Sequence, residues 1–254
     1  MERRNWDRSE LIVAFHQYCI TPFGKMHNRN REIIDLAEKL GRTPSALSMK
    51  MCNFASLDPI NRQRNVKGLP NVSKADRDIW EEFNNNGEAL LEAYQRETEK
   101  HNIVTPESEE LYTYDASQQS EILQEVKVRT IQSFFRRSVL SNYNYQCAMC
   151  QIDNKKLLNA GHIIPWSVDE RYRADLQNGL SLCALHDRAF DRGFLTLDND
   201  YRIVLANQMK EIKSTSDVYR VAFLEIEGQS IIMPDKFAPS QIALDYHRNN
   251  IFGN

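Results

Sequence analysis

Apolar residues recur at helical spacing through the first hundred positions. Leu11, Ile12, Val13, Phe15 and Tyr18 follow Asp7-Arg-Ser-Glu10, which places Asp7 or Ser9 as the cap of a helix ended by Pro22 and Gly24. Arg31 to Leu40 repeats at Ile33, Ile34, Leu36, Ala37 and Leu40, with Gly41 where a C-terminal cap belongs. Thr43-Pro44 opens the next helix, whose apolar positions are Ala46, Leu47, Met51 and Phe54. Helix, glycine turn, helix is the outline of a helix-turn-helix, with Lys50, Asn53, Arg62, Arg64 and Lys67 on or just beyond its second helix. An αα-hairpin that only supports a core carries the same pattern. Further helices are predicted over Asp76–Phe83 and, more polar, over Glu88–Lys100.

The pattern then breaks. Residues 101–126 are acidic and polar, with Pro106-Glu-Ser-Glu-Glu110 at their centre, the composition of an exposed linker. Lys127 to Leu140 returns to a helical period. After Gly193 the apolar runs are short: Phe194–Leu197, Tyr201–Leu205, Val221–Ile226 and Ser230–Met233 read as strands separated by turn residues. The expectation is an α+β chain. Residues 1–100 form a helical, helix-turn-helix-like domain for DNA recognition or regulation, and 101–126 a linker. Residues 127–254 form a second domain, with a core at 143–197 and a β-rich extension at 198–254.

Composition narrows this less than charge does. With 254 residues, 41% of them apolar and 26% charged, the chain has an ordinary globular make-up. No apolar run approaches the roughly 20 residues of a membrane span, and the start has no signal-peptide pattern, so the cytoplasm is the expected compartment. The net charge of −3 alone argues against a nucleic-acid partner. By segment it is +5 over 1–70, −10 over 71–126, +4 over 127–197 and −2 over 198–254. Two basic blocks flank an acidic one, either by chance segregation or as two surfaces facing a polyanion.

Five cysteines are too few for a disulfide scaffold. Cys19 and Cys52 read as small core residues. Cys147-Ala-Met-Cys150 and Cys183-Ala-Leu-His186 are two pairs with 32 residues between them, a set that suits structural Zn²⁺; buried thiols beside an unrelated histidine are the alternative.

Between the pairs lie Ala160-Gly-His-Ile-Ile-Pro-Trp166 and Leu176-Gln-Asn-Gly-Leu-Ser-Leu-Cys183, and after them Asp187-Arg-Ala-Phe-Asp-Arg-Gly193. This run resembles the HNH endonuclease family, in particular a bacterial restriction-type subgroup with His-Ile-x-Pro-Trp and a Phe-Asp-x-Gly ending. Gln132-Ser-Phe-Phe-Arg136, Tyr143-Asn-Tyr145 and Tyr246–Phe252 look like the same subgroup, so the resemblance covers about 127–252. The first hundred residues resemble, more weakly, a helical domain fused ahead of such nucleases.

The resemblance implies a β-hairpin followed by a helix around one divalent metal. His162 would be the general base and Asn178 the residue that pins the loop behind it. Asp187 falls nine residues after Asn178, in the metal-ligand place, and as a carboxylate suits Mg²⁺ or Mn²⁺. His186 then closes the zinc set of Cys147, Cys150 and Cys183; the competing assignment makes His186 the catalytic ligand and leaves three cysteines. Where many relatives carry a second ligand just before the base, this chain has Gly161, with Asp191 the nearest other carboxylate. Arg129, Arg136, Arg137, Arg171 and Arg173 are candidates for DNA phosphates. The function so implied is metal-dependent DNA cleavage in restriction or anti-phage defence, with no membrane partner. A homodimer would be needed if both strands are cut. A zinc-stabilised DNA-binding protein without catalysis, or an effector nuclease switched by a partner or signal, are the alternatives.

Overall fold

The first long helix is buried nearly all round, from Glu10 to Ile20, and the elements about it follow from that. In a computed structural model, which describes residues 4–64, 72–100 and 119–253, the chain divides into two units, 1–138 and 139–254. In the first, α1 (Arg8–Ile20) starts at a capping box: Asp7 accepts from the Glu10 amide at 2.9 Å, and the Glu10 carboxylate accepts from the Asp7 amide at 3.1 Å. α2 (Arg31–Lys39), α3 (Pro44–Leu57), α4 (Pro59–Gln63), α5 (Lys74–Phe83) and α6 (Gly87–Lys100) follow. Gly41, at φ 62°, turns α2 into α3, which Thr43 caps. Phe15 lies edge-on to Phe54 and Trp80, which makes an aromatic centre between α1, α3 and α5.

The α2–α3 hairpin expected from the sequence is present, but its polar residues point to a core role. Lys50 is buried and pairs with Asp76 at 2.7 Å, and Asn53 donates to the same carboxylate at 3.1 Å. Arg42 is spent likewise on buried Glu10. Lys67 lies outside the described residues. Cys19 is buried as expected, while Cys52 is only partly so.

α7 (Gln119–Asn142) corrects the predicted boundary. Residues 119–126 are helical and not linker, and the division between units falls inside α7, after Ser138. The reason is packing. Ile131, Phe134 and Phe135 are buried, and His16 stacks on Phe134 (5.2 Å) and Tyr94 (3.7 Å), so this stretch completes the helical core. The rest of the expected linker, 101–118, lies outside the described residues.

The second unit holds two small sheets. β1 (Leu158–His162) pairs antiparallel with β2 (Gly179–Cys183), and α8 (Ala184–Asp191) follows at once. β3 (Leu195–Leu197) pairs with β4 (Ile203–Leu205). α9 (Asn207–Glu211), α10 (Asp217–Tyr219, continued by a π-helical turn over Arg220–Leu224) and α11 (Gln241–Asn250) complete it. The extension is therefore not β-rich. Val221–Leu224 is π-helical and runs into a turn at Glu225–Ile226, with Phe223 and Ile226 buried at a three-residue spacing, and Ser230 makes a single bridge to Arg202. A short apolar run does not by itself separate strand from helix.

Candidate functional site

Each end of the β1–β2 hairpin carries part of the site. Leu158 faces Cys183 at one end, and His162 faces Gly179 at the other. Cys183 closes β2 and caps α8, which puts His186 in the first helical turn; Cys147 and Cys150 come from the knuckle before β1.

These four residues converge. The His186 Nδ1 lies 3.3 Å from the Cys183 sulfur and 3.5 Å from that of Cys147, the sulfurs of Cys150 and Cys183 are 3.8 Å apart, and all four ligand atoms fall within 4.8 Å. A zinc–sulfur bond of about 2.3 Å gives a tetrahedral edge of about 3.8 Å, so the donors stand at the spacing a zinc ion requires. The His186 Nε2 donates to the Ala222 carbonyl at 2.8 Å, which fixes the tautomer with its lone pair on Nδ1, toward the sulfurs. Hydrogen bonds from Cys147 and Cys150 hold the Cys183 thiol far below its ordinary range. The cluster could bind zinc.

Asp187 turns away from that cluster. Its Oδ2 accepts from the Asn159 amide at 2.7 Å, and its Oδ1 lies 2.7 Å from where a Cβ on Gly161 would stand. A side chain at 161 would therefore have to move the end of Asp187 aside. Asp191, one turn further along α8, has its carboxyl pushed up by burial and by the charge of Asp187. Carboxylates are the hard ligands that divalent cations take, and the charges of these two are near enough to interact.

His162 ends β1 with its Nε2 3.0 Å from the carbonyl of Arg173. A carbonyl only accepts, so Nε2 carries the hydrogen and Nδ1 the lone pair in the neutral ring. Burial lowers its pKa, partly opposed by the Arg173 carbonyl, and so favours the neutral ring. Asn178 is fully buried. Its Oδ1 accepts from the Ile164 amide at 2.8 Å, and its Nδ2 donates to the carbonyls of Ile164 (3.0 Å) and Tyr172 (3.1 Å). It therefore holds both ends of the loop that follows His162.

Residues 147–198 match the family model for HNH endonuclease. The matched segment contains both Cys-x-x pairs, His162, Asn178 and Asp187, and HNH nucleases use divalent metals. No curated protein matches the chain. Among the described residues no helix is long and apolar enough to cross a membrane.

The candidate phosphate-binding arginines come from both units. Arg129, Arg136 and Arg137 belong to the helical unit, where Arg129 pairs with Glu125 and Arg137 with Glu32. Arg171 and Arg173 stand in the HNH segment, paired with Asp169 and Glu170. Sequence reasoning missed Asn159, although strand alternation places it on the Gly161 face of β1. It also missed why the Phe-Asp-x-Gly and closing Tyr246–Phe252 segments occur together. Gly193, at φ 68°, leaves no room for a Cβ against the Ile251 backbone, and its carbonyl accepts from Gly253 at 2.9 Å.

Proposed function

We propose that the chain is a metal-dependent DNA endonuclease that hydrolyses phosphodiester bonds, acting in restriction or anti-phage defence. The observation that carries this reading is His162 at the end of the HNH hairpin, with Nε2–H anchored on a backbone carbonyl, so that the lone pair of the neutral ring is on Nδ1. In this mechanism His162 Nδ1 takes a proton from water, the water oxygen bonds to phosphorus, and the bond from phosphorus to the 3′-oxygen breaks. Asn178 keeps the ring in place by holding the loop behind it. Asp187, steadied by Asn159, would hold Mg²⁺ or Mn²⁺, which when bound neutralises charge developing on the phosphate and the departing oxygen. Cys147, Cys150, Cys183 and His186 would hold a structural Zn²⁺ that fixes the start of α8 and with it Asp187. Arg171, far more exposed than Arg173, would ride on a phosphate.

Gly161 favoured the non-catalytic alternative as long as it read as a missing ligand. The Asp187 carboxylate stands beside the place a side chain at 161 would take, which supports Asp187 as the metal ligand there. Nicking of supercoiled plasmid DNA in Mg²⁺ or Mn²⁺ tests the reading. His162→Ala should lower the rate by about 10²–10⁴-fold with zinc retained; undiminished cutting would overturn it. Loss of phage protection in cells carrying the same variant tests the defence role.

A further inference from the structure

Arg173 was expected to contact phosphate, yet its groups are committed within its own loop. Its carbonyl accepts from His162 Nε2 at 3.0 Å. Its Nε donates to the Trp166 carbonyl at 3.1 Å, and its Nη1 to Glu170 at 3.0 Å. The guanidinium carbon lies 5.1 Å from the centroid of the Trp166 ring, which meets His162 edge-on at 5.6 Å. The Arg173 side chain is 24% exposed, against 81% for Arg171 two residues earlier.

We propose that Arg173 and Trp166 form a latch that positions His162, so that Arg173 is a positioning residue and not a phosphate contact. This rests on the reading of His162 as the general base. Asn178 fixes the loop at Ile164 and Tyr172, and the span between them is held by short local turns, Val168 to Pro165 and Arg171 to Asp169. The brace from Arg173 to Trp166 crosses that span. It fixes the carbonyl that sets the His162 tautomer and seats the tryptophan ring against the imidazole. Asn178 thus holds the backbone, and the latch holds the orientation of the ring.

The residue type matters. A guanidinium is planar, donates from Nε in the plane of its fork and stacks on an indole; an ammonium keeps the charge and does neither. Arg173→Lys therefore separates the two roles. A phosphate clamp would tolerate lysine, while Arg173→Gln would raise KM and lower the salt dependence of binding by about one ion. A latch fails with either substitution: kcat on supercoiled plasmid DNA with Mg²⁺ should fall by about 10²-fold, the cost of a misplaced catalytic group, with KM and salt dependence unchanged. Arg171→Gln is the comparison, expected to change KM alone.

A second readout does not need activity. Nitrogen NMR of the His162 ring should show the Nε2–H tautomer in the wild-type chain and a mixture of tautomers in Arg173→Lys. If Arg173→Lys loses zinc or melts early, Trp166→Leu carries the test, with Trp166→Phe expected to restore most of kcat and the tautomer. An unchanged tautomer and kcat in Arg173→Lys, or an effect of Arg173→Gln on KM alone, would overturn the latch. Cutting by His162→Ala at the wild-type rate would instead remove the nuclease reading, while the tautomer measurement would still decide whether the brace orients the ring.

Discussion

The two units bury polar groups for different ends. In the helical unit they are charges in pairs: Glu10 between Arg42 and Arg4, and Asp76 between Lys50 and Asn53, beside the aromatic centre of Phe15, Phe54 and Trp80. The HNH-bearing unit buries charged side chains too, Asp175 and Lys236, but it adds neutral amides and imidazoles that grip backbone carbonyls. Asn178 holds Ile164 and Tyr172, His186 holds Ala222, and His247 holds Phe190. The strands there are five and three residues long, too short to order a site by themselves. Side chain to backbone bonds do that instead, and the cysteine–histidine cluster ties the hairpin to α8. Both units have a buried apolar core, and the second adds a cluster that could bind zinc. Its stability should depend on metal where that of the helical unit does not.

Chelation is the strongest way to break that contrast. Stripping zinc, or Cys147→Ser, should unfold residues 139–254 and leave the helical unit's melting transition in place. Structural zinc is worth roughly 10 kcal/mol in small zinc domains. Calorimetry beside metal analysis would reveal it, and one unmoved transition would show the cluster to be dispensable. Next in size is Asp76→Ala in the helical unit. It strands a buried ammonium and should cost about 3–5 kcal/mol in urea unfolding, while Lys50→Met with Asp76→Leu should be close to neutral. Nicking by the HNH segment should not follow either change.

Acid sharpens the comparison. Burial lowers His247 from 6.5 to about 4, with the Phe190 carbonyl opposing, and lowers His16 to about 3, assisted by the charge of Arg137. The unfolded chain then binds more protons than the folded one below pH 6.5, so stability falls with pH in both units. For His247 the loss is complete near pH 4 and amounts to about 3 kcal/mol. For His16 it continues toward pH 3. Unfolding curves between pH 7 and 3 should fall in both units, and His247→Gln should flatten the slope of the HNH-bearing one.

What was legible in the sequence were features whose physics is local or whose spacing is chemistry. Asp7, Gly41 and Thr43-Pro44 mark helix ends because caps act within a turn. The two Cys-x-x pairs and the interval from Asn178 to Asp187 could be counted. Contacts between distant positions were not legible. Lys50 reads as a DNA-facing cation until Asp76, 26 residues on, is seen to hold it. Gly161 reads as a missing ligand until the Asp187 carboxylate is found over it. The boundary was misplaced because charge changes sign at Lys127 while the apolar face of α7 does not change there. Val221–Ile226 was misread because six apolar-rich residues fit either period.

The smallest test contrasts two helix starts. Asp7 begins α1 with a side-chain bond to the Glu10 amide, so Asp7→Ala leaves that amide without its acceptor and should cost about 1 kcal/mol in the helical unit. Ser240 stands at the equivalent place before α11 and makes no capping bond from its side chain; its backbone amide donates to the Gln177 carbonyl at 2.8 Å. Alanine keeps that amide, so Ser240→Ala should stay within about 0.5 kcal/mol of wild type. Urea midpoints of the two variants measure the difference. Equal losses would mean that caps, and not backbone-directed bonds, set the order of the HNH-bearing unit as well.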